Sequence, residues 1–266
     1  MRKPLAYRAV PLALLLGSLS FHPVRAEPPP EPPILAERVA KGELPSTALR
    51  IPKAPLVVDL AATGERIGRQ GGEAVSLVSR ARDIRYLSTT SYTRLVGYNK
   101  KLELEADLLE SFEVEDNRIF TFHLRPGHRW SDGHPFTAEA FRYYWEDVAL
   151  NPELSPAGLP EFMVVDGERP RFEVLDDLTI RYSWNKPNPR FLPQLAAPID
   201  PAIYRPAHYL RQFHAKYANV EELNEAARKQ KLKSWAALHG RLDDMKEQTN
   251  PDLPTLVPWR VMNSGP

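Results

Sequence analysis

Apolar and polar residues alternate in two stretches in the middle of the chain. In the first, residues 112–115 and 119–124 flank a polar turn at 116–118. In the second, residues 172–175 and 178–184 flank two aspartates. The alternating apolar residues are Phe120, Phe122 and Leu124 in the first stretch, and Leu178, Ile180, Tyr182 and Trp184 in the second. This period of two predicts two antiparallel β-hairpins, each with one face on the core and one toward solvent.

Helical spacing of apolar residues follows the first hairpin. In 138–148 the residues at i, i+3, i+4 and i+7 are Phe141, Tyr144, Trp145 and Val148. This spacing predicts an amphipathic helix. Thr137 is the predicted N-cap, since its hydroxyl can accept a backbone N–H. Phe136 is placed to pack on Phe141 as a hydrophobic staple.

Three more helices are predicted toward the C-terminus, at 207–217, at 220–230 after the N-cap Asn219, and at 233–247. Upstream, the alternating residues 73–79 predict a buried strand, and 102–109 fit either a helix or a loop with apolar anchors. Hairpins combined with segregated helices predict an α/β fold of the mixed α+β kind.

The first 26 residues have the pattern of a secretory signal peptide. Three basic residues precede the apolar stretch 9–21, and small residues at 24 and 26 end the segment. The alternative is a membrane anchor, but a spanning helix needs about 20 apolar residues. We therefore expect an exported, soluble, periplasmic protein that is cut after Ala26.

Charge and cysteine content narrow the class of protein. Removing residues 1–26 takes away four basic residues and no acidic one, so the net charge changes from +1 to −3. This balance does not favour a nucleic-acid partner, which requires a concentrated basic surface. The chain has no cysteine, so disulfides, thiol chemistry and a lipidated cysteine are excluded.

Proline is concentrated near the start of the predicted mature chain. Residues 27–70 are expected to form an N-terminal segment that is mostly extended, with one short helix at 34–41. Residues 71–266 are expected to form the folded domain.

Residues that often carry catalysis are better explained here by structure. His123, His128 and His134 are close in sequence, but their spacing is not that of a zinc protease helix. We expect them to be solvated. Asp132 precedes Gly133 in a predicted turn, where Asp bonds the local backbone and Gly supplies a positive φ. There is no GxSxG motif, so we expect no enzyme activity, no cofactor and no metal.

The run 120–148, FTFHLRPGHRWSDGHPFTAEAFRYYWEDV, closely resembles a signature of the family 5 extracytoplasmic solute-binding proteins. Weaker similarities to that family occur in the same order along the chain. They lie at the Gly-Gly pair 71–72 and at 92–98, 104–112, 175–180, 188–192 and 201–208. The resemblance covers roughly 71–259.

The resemblance implies a periplasmic-binding-protein-like type II lobe, with β-hairpins and peripheral helices. It implies a monomeric receptor that binds a small solute, a peptide above all, and delivers it to ABC permease subunits in the inner membrane. Family members continue into a second lobe, which we expect to be missing here, so that the chain is the N-terminal part only. Two other interpretations stay open: an interaction or chaperone-like module, and a non-functional truncated gene product.

Aromatic residues with polar edges are the candidate ligand contacts, because they make good walls for small-molecule sites. Tyr86 and Tyr92 follow the predicted strand at 73–79, and Trp259 lies near the expected crossing to a second lobe. These three residues are the predicted ligand-binding groups.

Overall fold

The computed structural model describes residues 29–61, 64–69, 71–73, 75, 77, 79–80, 83, 93–197, 203–245 and 250–259. The predicted signal peptide lies outside these residues. The strands are β1 (Val96–Tyr98), β2 (Leu104–Ala106), β3 (Leu109–Glu115), β4 (Ile119–Leu124), β5 (Arg171–Asp176) and β6 (Thr179–Ser183). The α-helices are α1 (Pro33–Ala40), α2 (Thr47–Arg50), α3 (Ala138–Arg142), α4 (Phe191–Leu195), α5 (Ala207–Leu210), α6 (Val220–Lys229) and α7 (Trp235–Leu242).

Both predicted hairpins are present and join into one antiparallel sheet of order β3-β4-β6-β5. The register aligns apolar residues across the strands, because Phe122 pairs with both Phe112 and Ile180. In the connection 116–118, Asp116 and Asn117 both have φ of 52°, and the Arg118 N–H donates to Glu115 O at 2.8 Å, as in a type I′ turn. A separate pair, β1 and β2, replaces the helix or loop considered for 102–109.

The opposite face of the sheet is less exposed to solvent than the alternation of residues predicted. Glu113, Thr121, Arg181 and Glu173 form one row across the four strands. Thr121 is only 3% exposed, and its hydroxyl accepts a hydrogen bond of 3.1 Å from Arg181 Nε. The aliphatic part of a long basic side chain can cover a neighbour in this way.

The helix predicted at 138–148 is present, but its hydrogen bonding changes along its length. It begins as α3 and continues as a π-helix over Tyr143–Ala149. The staple is confirmed, with the rings of Phe136 and Phe141 5.7 Å apart. Thr137 occupies the N-cap position as predicted, but its hydroxyl makes no capping bond to the described residues. The Ala138 N–H donates instead to the Asp177 carbonyl, which fixes the helix start against the second hairpin.

The wider turn of the π-helix places Asp147 in the interior. Its side chain is 1% exposed. It accepts hydrogen bonds of 2.6 Å from both Lys216 Nζ and the Tyr217 hydroxyl, and it pairs with Arg142 Nη2 at 3.1 Å. Burial alone would raise the pKa of Asp147, but these hydrogen bonds and the Arg142 charge lower it below the ordinary value.

The centre of the core is a cluster of aromatic rings between the sheet and the helices. Phe191 from α4 is fully buried in it. Its ring lies within about 6 Å of five others, which belong to Phe120, Phe122, Phe162, Tyr182 and Trp184. The apolar face of the hairpins therefore packs on α4, a helix that the alternation of apolar residues did not predict.

The C-terminal helices agree with the predictions to different degrees. Asn219 caps α6 as predicted, since its side chain accepts from the N–H groups of Glu221 and Glu222. The helix predicted at 207–217 is wrong in length, because α5 ends at Leu210 and a 3₁₀ turn follows at Arg211–Phe213. Helix α7 is also shorter than predicted and begins after the cap Ser234.

The proline-rich segment is more ordered than an extended tether. The predicted short helix is confirmed as α1, and α2 follows it unpredicted. Two backbone carbonyls tie this segment to the end of β4. The Lys53 N–H donates to Pro126 O, and Arg125 Nη1 donates to Ala54 O. By contrast, the strand predicted at 73–79 is wrong for the residues described there, since Val75 and Leu77 are 88% and 98% exposed and outside any strand.

Candidate ligand-binding groove

A groove of about 600 Å³ lies where three segments of the chain meet. Its walls are the N-terminal segment 44–50, the turn 129–133 after β4, and the C-terminal segment 255–257. The apolar lining residues are Leu44, Pro45, Leu49, Trp130, Leu256 and Val257, and the charged ones are Arg50, Arg129 and Asp132. A concavity that combines apolar walls with a few polar groups is the usual form of a small-molecule site.

The wall formed by the turn 129–133 is built as the Ser-Asp-Gly sequence predicts. Gly133 has φ of +90°, a conformation that a residue with a Cβ rarely adopts. Asp132 Oδ1 accepts the His134 N–H at 3.0 Å. Trp130, 3% exposed, anchors the turn by packing edge-on against Phe136 at 5.5 Å. Trp130, which belongs to the run 120–148, therefore holds this wall of the groove in place.

Two hydrogen bonds fasten the C-terminal segment to this turn. The Ser131 N–H donates to Thr255 O at 2.9 Å, and the Thr255 N–H donates to Ser131 Oγ at 3.1 Å. A third bond runs from Thr93 Oγ1 to Leu256 O at 3.1 Å. Residues more than 120 positions apart in the chain therefore form adjoining walls.

The N-terminal wall is held by an ion pair between its Arg50 and Glu31, which lies earlier in the chain. Glu31 accepts from Arg50 Nη2 and from both the N–H and the hydroxyl of Thr47. These contacts lower the pKa of Glu31: the Thr47 hydroxyl is the strongest cause, and Arg50 adds to it. Because Glu31 neutralises Arg50, this wall contributes little net charge to the groove.

The turn carries two charges of different character. Arg129 is exposed and donates through Nη1 to Gly133 O at 2.9 Å, which leaves its other N–H groups available to a ligand. Asp132 is engaged on its outer side, where Oδ2 lies 2.8 Å from His208 Nε2. Partial burial would raise the pKa of Asp132, but the bonds from His134 and His208 lower it.

His208 of α5 also stacks on His134, with ring centroids 3.8 Å apart and planes 3° apart. The sequence predicted that His134 and His128 are solvated. His134 is exposed, as predicted, even though its ring stacks on His208. The prediction is wrong for His128, which is half-buried with its ring edge-on to Phe136 at 5.8 Å. Among the described residues no group of three His, Cys, Asp or Glu could hold a metal ion.

The three predicted ligand contacts can be compared with this groove only by their positions along the chain. Tyr86 and Tyr92 lie outside the described residues, although Tyr92 immediately precedes Thr93, which bonds the C-terminal wall. Trp259 is 63% exposed and lies two residues beyond the lining residue Val257. An exposed tryptophan offers a face that can stack on a ligand.

Sequence reasoning missed Arg50, Arg129 and the contact from Asp132 to His208. The Ser-Asp-Gly pattern identified the turn, yet it could not reveal a partner 76 residues further along the chain. A basic residue on each side of a small apolar patch is too common in sequences to signal a groove.

Comparison with known proteins agrees with this mixed fold. Residues 103–252 match the family described as "Bacterial extracellular solute-binding proteins, family 5 Middle". The match covers more than half of the chain, so this chain belongs to the family 5 bacterial extracellular solute-binding proteins. The resemblance of the run 120–148 is confirmed. The matched family comprises solute-binding proteins and not enzymes.

Two curated relatives illustrate the range within the family. The chain is 28% identical over 212 residues to the periplasmic alpha-galactoside-binding protein of Rhizobium meliloti, covering 71% of this chain and 30% of that protein. It is 32% identical over 112 residues to the periplasmic oligopeptide-binding protein OppA of Escherichia coli, covering 37% of this chain and 20% of that protein.

Solved structures give the same assignment. An oligopeptide-binding protein OppA superposes with a TM-score of 0.78 at 32% identity, covering 88% of this chain and 36% of that one. The MelB protein of Agrobacterium fabrum, solved with stachyose, superposes with a TM-score of 0.63 at 22% identity, covering 91% and 37%. The second likeness shows the fold alone. The chain spans about a third or less of the length of these relatives.

In the part of the chain that the structure describes, no helix combines the length and the apolar character that crossing a membrane requires.

Proposed function

We propose that this chain is a ligand-receiving lobe of a periplasmic solute receptor that serves an ABC importer, and that its solute is a short peptide. The observation that carries the proposal is the likeness to OppA, since it combines 32% identity with a TM-score of 0.78 over 88% of this chain. A signal peptide at 1–26, an N-terminal segment at 27–70 and a lobe at 71–266 complete the proposal. The permease subunits of the inner membrane are its proposed partners, and the receptor acts as a monomer.

The groove supports this proposal through its lining. Apolar residues on two walls suit the side chains of a peptide, and the available N–H groups of Arg129 suit a carbonyl or carboxylate oxygen. Along the chain, Trp259 lies two residues beyond the lining residue Val257, and Tyr92 directly precedes Thr93. Together with Tyr86 they remain the proposed contacts.

An alpha-galactoside is the second candidate solute. The relative from Rhizobium meliloti matches 71% of this chain, which is a larger share than the curated oligopeptide-binding relatives match. Aromatic faces such as that of Trp259 stack on sugar rings as readily as on peptide side chains.

A thermal-shift experiment on the full chain separates the candidates. The probes are tri-alanine, tri-lysine and stachyose, with glucose as a negative control. A ligand at about 100 times its Kd stabilises the folded state by about 2.7 kcal/mol, which raises Tm by roughly 5–10 °C for a protein of this size. The proposal expects this rise with a tripeptide. A rise with stachyose alone favours the galactoside, and no rise with any probe refutes autonomous solute binding.

Point variants then test the proposed contacts. Trp259→Ala is expected to weaken binding of the active probe about tenfold, through the loss of a stacking face. Tyr98→Ala is the matched control, because Tyr98 is also an exposed aromatic, 47% accessible, on β1. Equal affinities of Trp259→Ala and the unsubstituted chain would remove Trp259 from the site.

A further inference from the structure

The stacked histidines connect the groove's turn to the rest of the lobe. His134 belongs to the turn, His208 belongs to α5, and their rings are parallel at 3.8 Å. Asp132 closes the arrangement from the turn side through its 2.8 Å contact with His208 Nε2. The same turn holds the C-terminal wall through Ser131. Any change in the histidine pair is therefore transmitted to two walls of the groove.

The hydrogen bonds show which nitrogen of each imidazole ring carries a proton. His134 Nδ1 lies 3.1 Å from Pro135 O, so this nitrogen carries the proton of the neutral ring. His208 Nε2 faces the Asp132 carboxylate and donates to it. His208 can take up one additional proton, because the resulting positive charge lies next to the Asp132 carboxylate. If His134 is protonated as well, two cationic rings lie face to face at 3.8 Å, and like charges at this distance repel.

The surrounding charges do not relieve that repulsion. From the turn, Arg129 donates to Gly133 O and adds positive charge. From the element after α5, Arg211 is directed to Glu139 and over the Tyr217 ring. Asp132 is the one carboxylate that contacts the pair among the described residues. A single carboxylate can balance one imidazolium but not two.

We propose that His134, His208 and Asp132 form a pH-sensitive latch, which holds the groove's turn when at most one ring is charged and releases it when both are. The latch is the contact of the two rings, and the released element is the turn with its bonded C-terminal wall. This inference does not depend on which solute the groove binds, since it concerns the shape of the groove.

The direction of the effect follows from the burial of His208. Burial lowers the pKa of His208 below its ordinary 6.5, and the nearby His134 lowers it further, against an opposing effect of Asp132. A histidine whose pKa is lowered on folding stabilises the folded state fully above its unfolded value. The stabilisation is lost as pH falls below about 6.5 toward the folded value. Acidification therefore opens the latch.

Amide hydrogen exchange of the full chain at pH 7.5 and 5.5 tests the latch, with rates corrected for the intrinsic pH dependence. The reporters are the Ser131 and Thr255 amides, which bond across the two walls. We expect their protection to fall about tenfold on acidification, as the bonds between the two walls open. His134→Phe, which keeps a stacking ring without a second charge, should lose about threefold or less. His123→Gln, a histidine substitution on the sheet, should behave as the unsubstituted chain does.

Equal losses of protection in His134→Phe and the unsubstituted chain would overturn the latch, as would no loss in the unsubstituted chain. A second measurement follows the His208 imidazole by NMR titration. The latch requires the pKa of His208 to be higher in His134→Phe than in the unsubstituted chain, because the His134 ring lowers it. An unchanged pKa of His208 in His134→Phe would also overturn the latch.

Discussion

Phe191→Ala is expected to be among the most destabilising single substitutions in this chain. The Phe191 side chain is fully buried, and its ring meets five other rings at centroid distances of 4.8 to 6.2 Å. It joins both hairpins to α4. Its removal therefore affects the packing of the whole sheet.

The expected magnitude follows from these contacts. A buried Phe→Ala substitution costs about 3–5 kcal/mol in transfer and cavity terms. Ring pairs each contribute about 0.5–1.5 kcal/mol beyond burial, so a residue with five pairs belongs at the upper end, near 5 kcal/mol. For a protein of this size the loss lowers Tm by about 10–20 °C.

Urea unfolding monitored by tryptophan fluorescence measures this loss. Phe191→Leu, which keeps most of the apolar volume, is expected to cost about 1.5 kcal/mol. Phe213→Ala is the matched control, because Phe213 is only half-buried and contacts one ring, that of Tyr209, at 5.4 Å. A cost below about 2 kcal/mol for Phe191→Ala, or a cost equal to that of Phe213→Ala, would refute the central role of this ring.

Three further substitutions test other parts of the structure. Tyr182→Phe should stabilise the chain by about 1 kcal/mol in urea unfolding, because the buried hydroxyl has no hydrogen-bond partner among the described atoms; a destabilisation would reveal a missed partner. Asp147→Asn should cost about 3 kcal/mol at pH 7, since the buried carboxylate loses its charge-assisted bonds to Lys216 and Arg142. Because the pKa of Asp147 is lowered on folding, this difference should shrink as pH falls below about 4, and a difference independent of pH would contradict the ion pair. Ser131→Ala removes the acceptor of the Thr255 N–H and should raise Thr255 amide exchange about tenfold without a change in global stability; unchanged exchange would argue against this link.

The sequence predicted what depends on local periodicity. The hairpins were predicted correctly, because the alternation that ends in Phe122 and Ile180 can bury one face in only one register. The helix at 138–148 was located by its apolar stripe, but its π-helical half was not. The π-helical half contains Asp147, whose partners lie at 216 and 217 and are not part of any local pattern.

Errors concentrate where tertiary contacts replace local signals. Thr137 has the ideal residue type for a cap, yet the helix start is held by the Asp177 carbonyl from the other hairpin. Apolar alternation at 73–79 predicted a strand, but Val75 is exposed. Alternation alone cannot supply a neighbouring strand to pair with.

The candidate groove could be predicted only in part. The Ser-Asp-Gly turn and its Gly133 conformation were evident from residue type. The opposing walls come from segments near 50 and 256, and their approach depends on single bonds such as that from Thr93 to Leu256. Such long-range bonds leave no periodic signal in one sequence.

Hydrogen exchange of the full chain, with and without the probe that raises Tm most, tests the central claim most directly. That claim is that a solute binds in the groove between the three segments. It predicts added protection at 44–50, 129–133 and 255–257, with little change on the open face of the sheet around Glu113 and Glu173. Protection centred on that open face, or no protection in any of the three segments while the probe is bound, would contradict it.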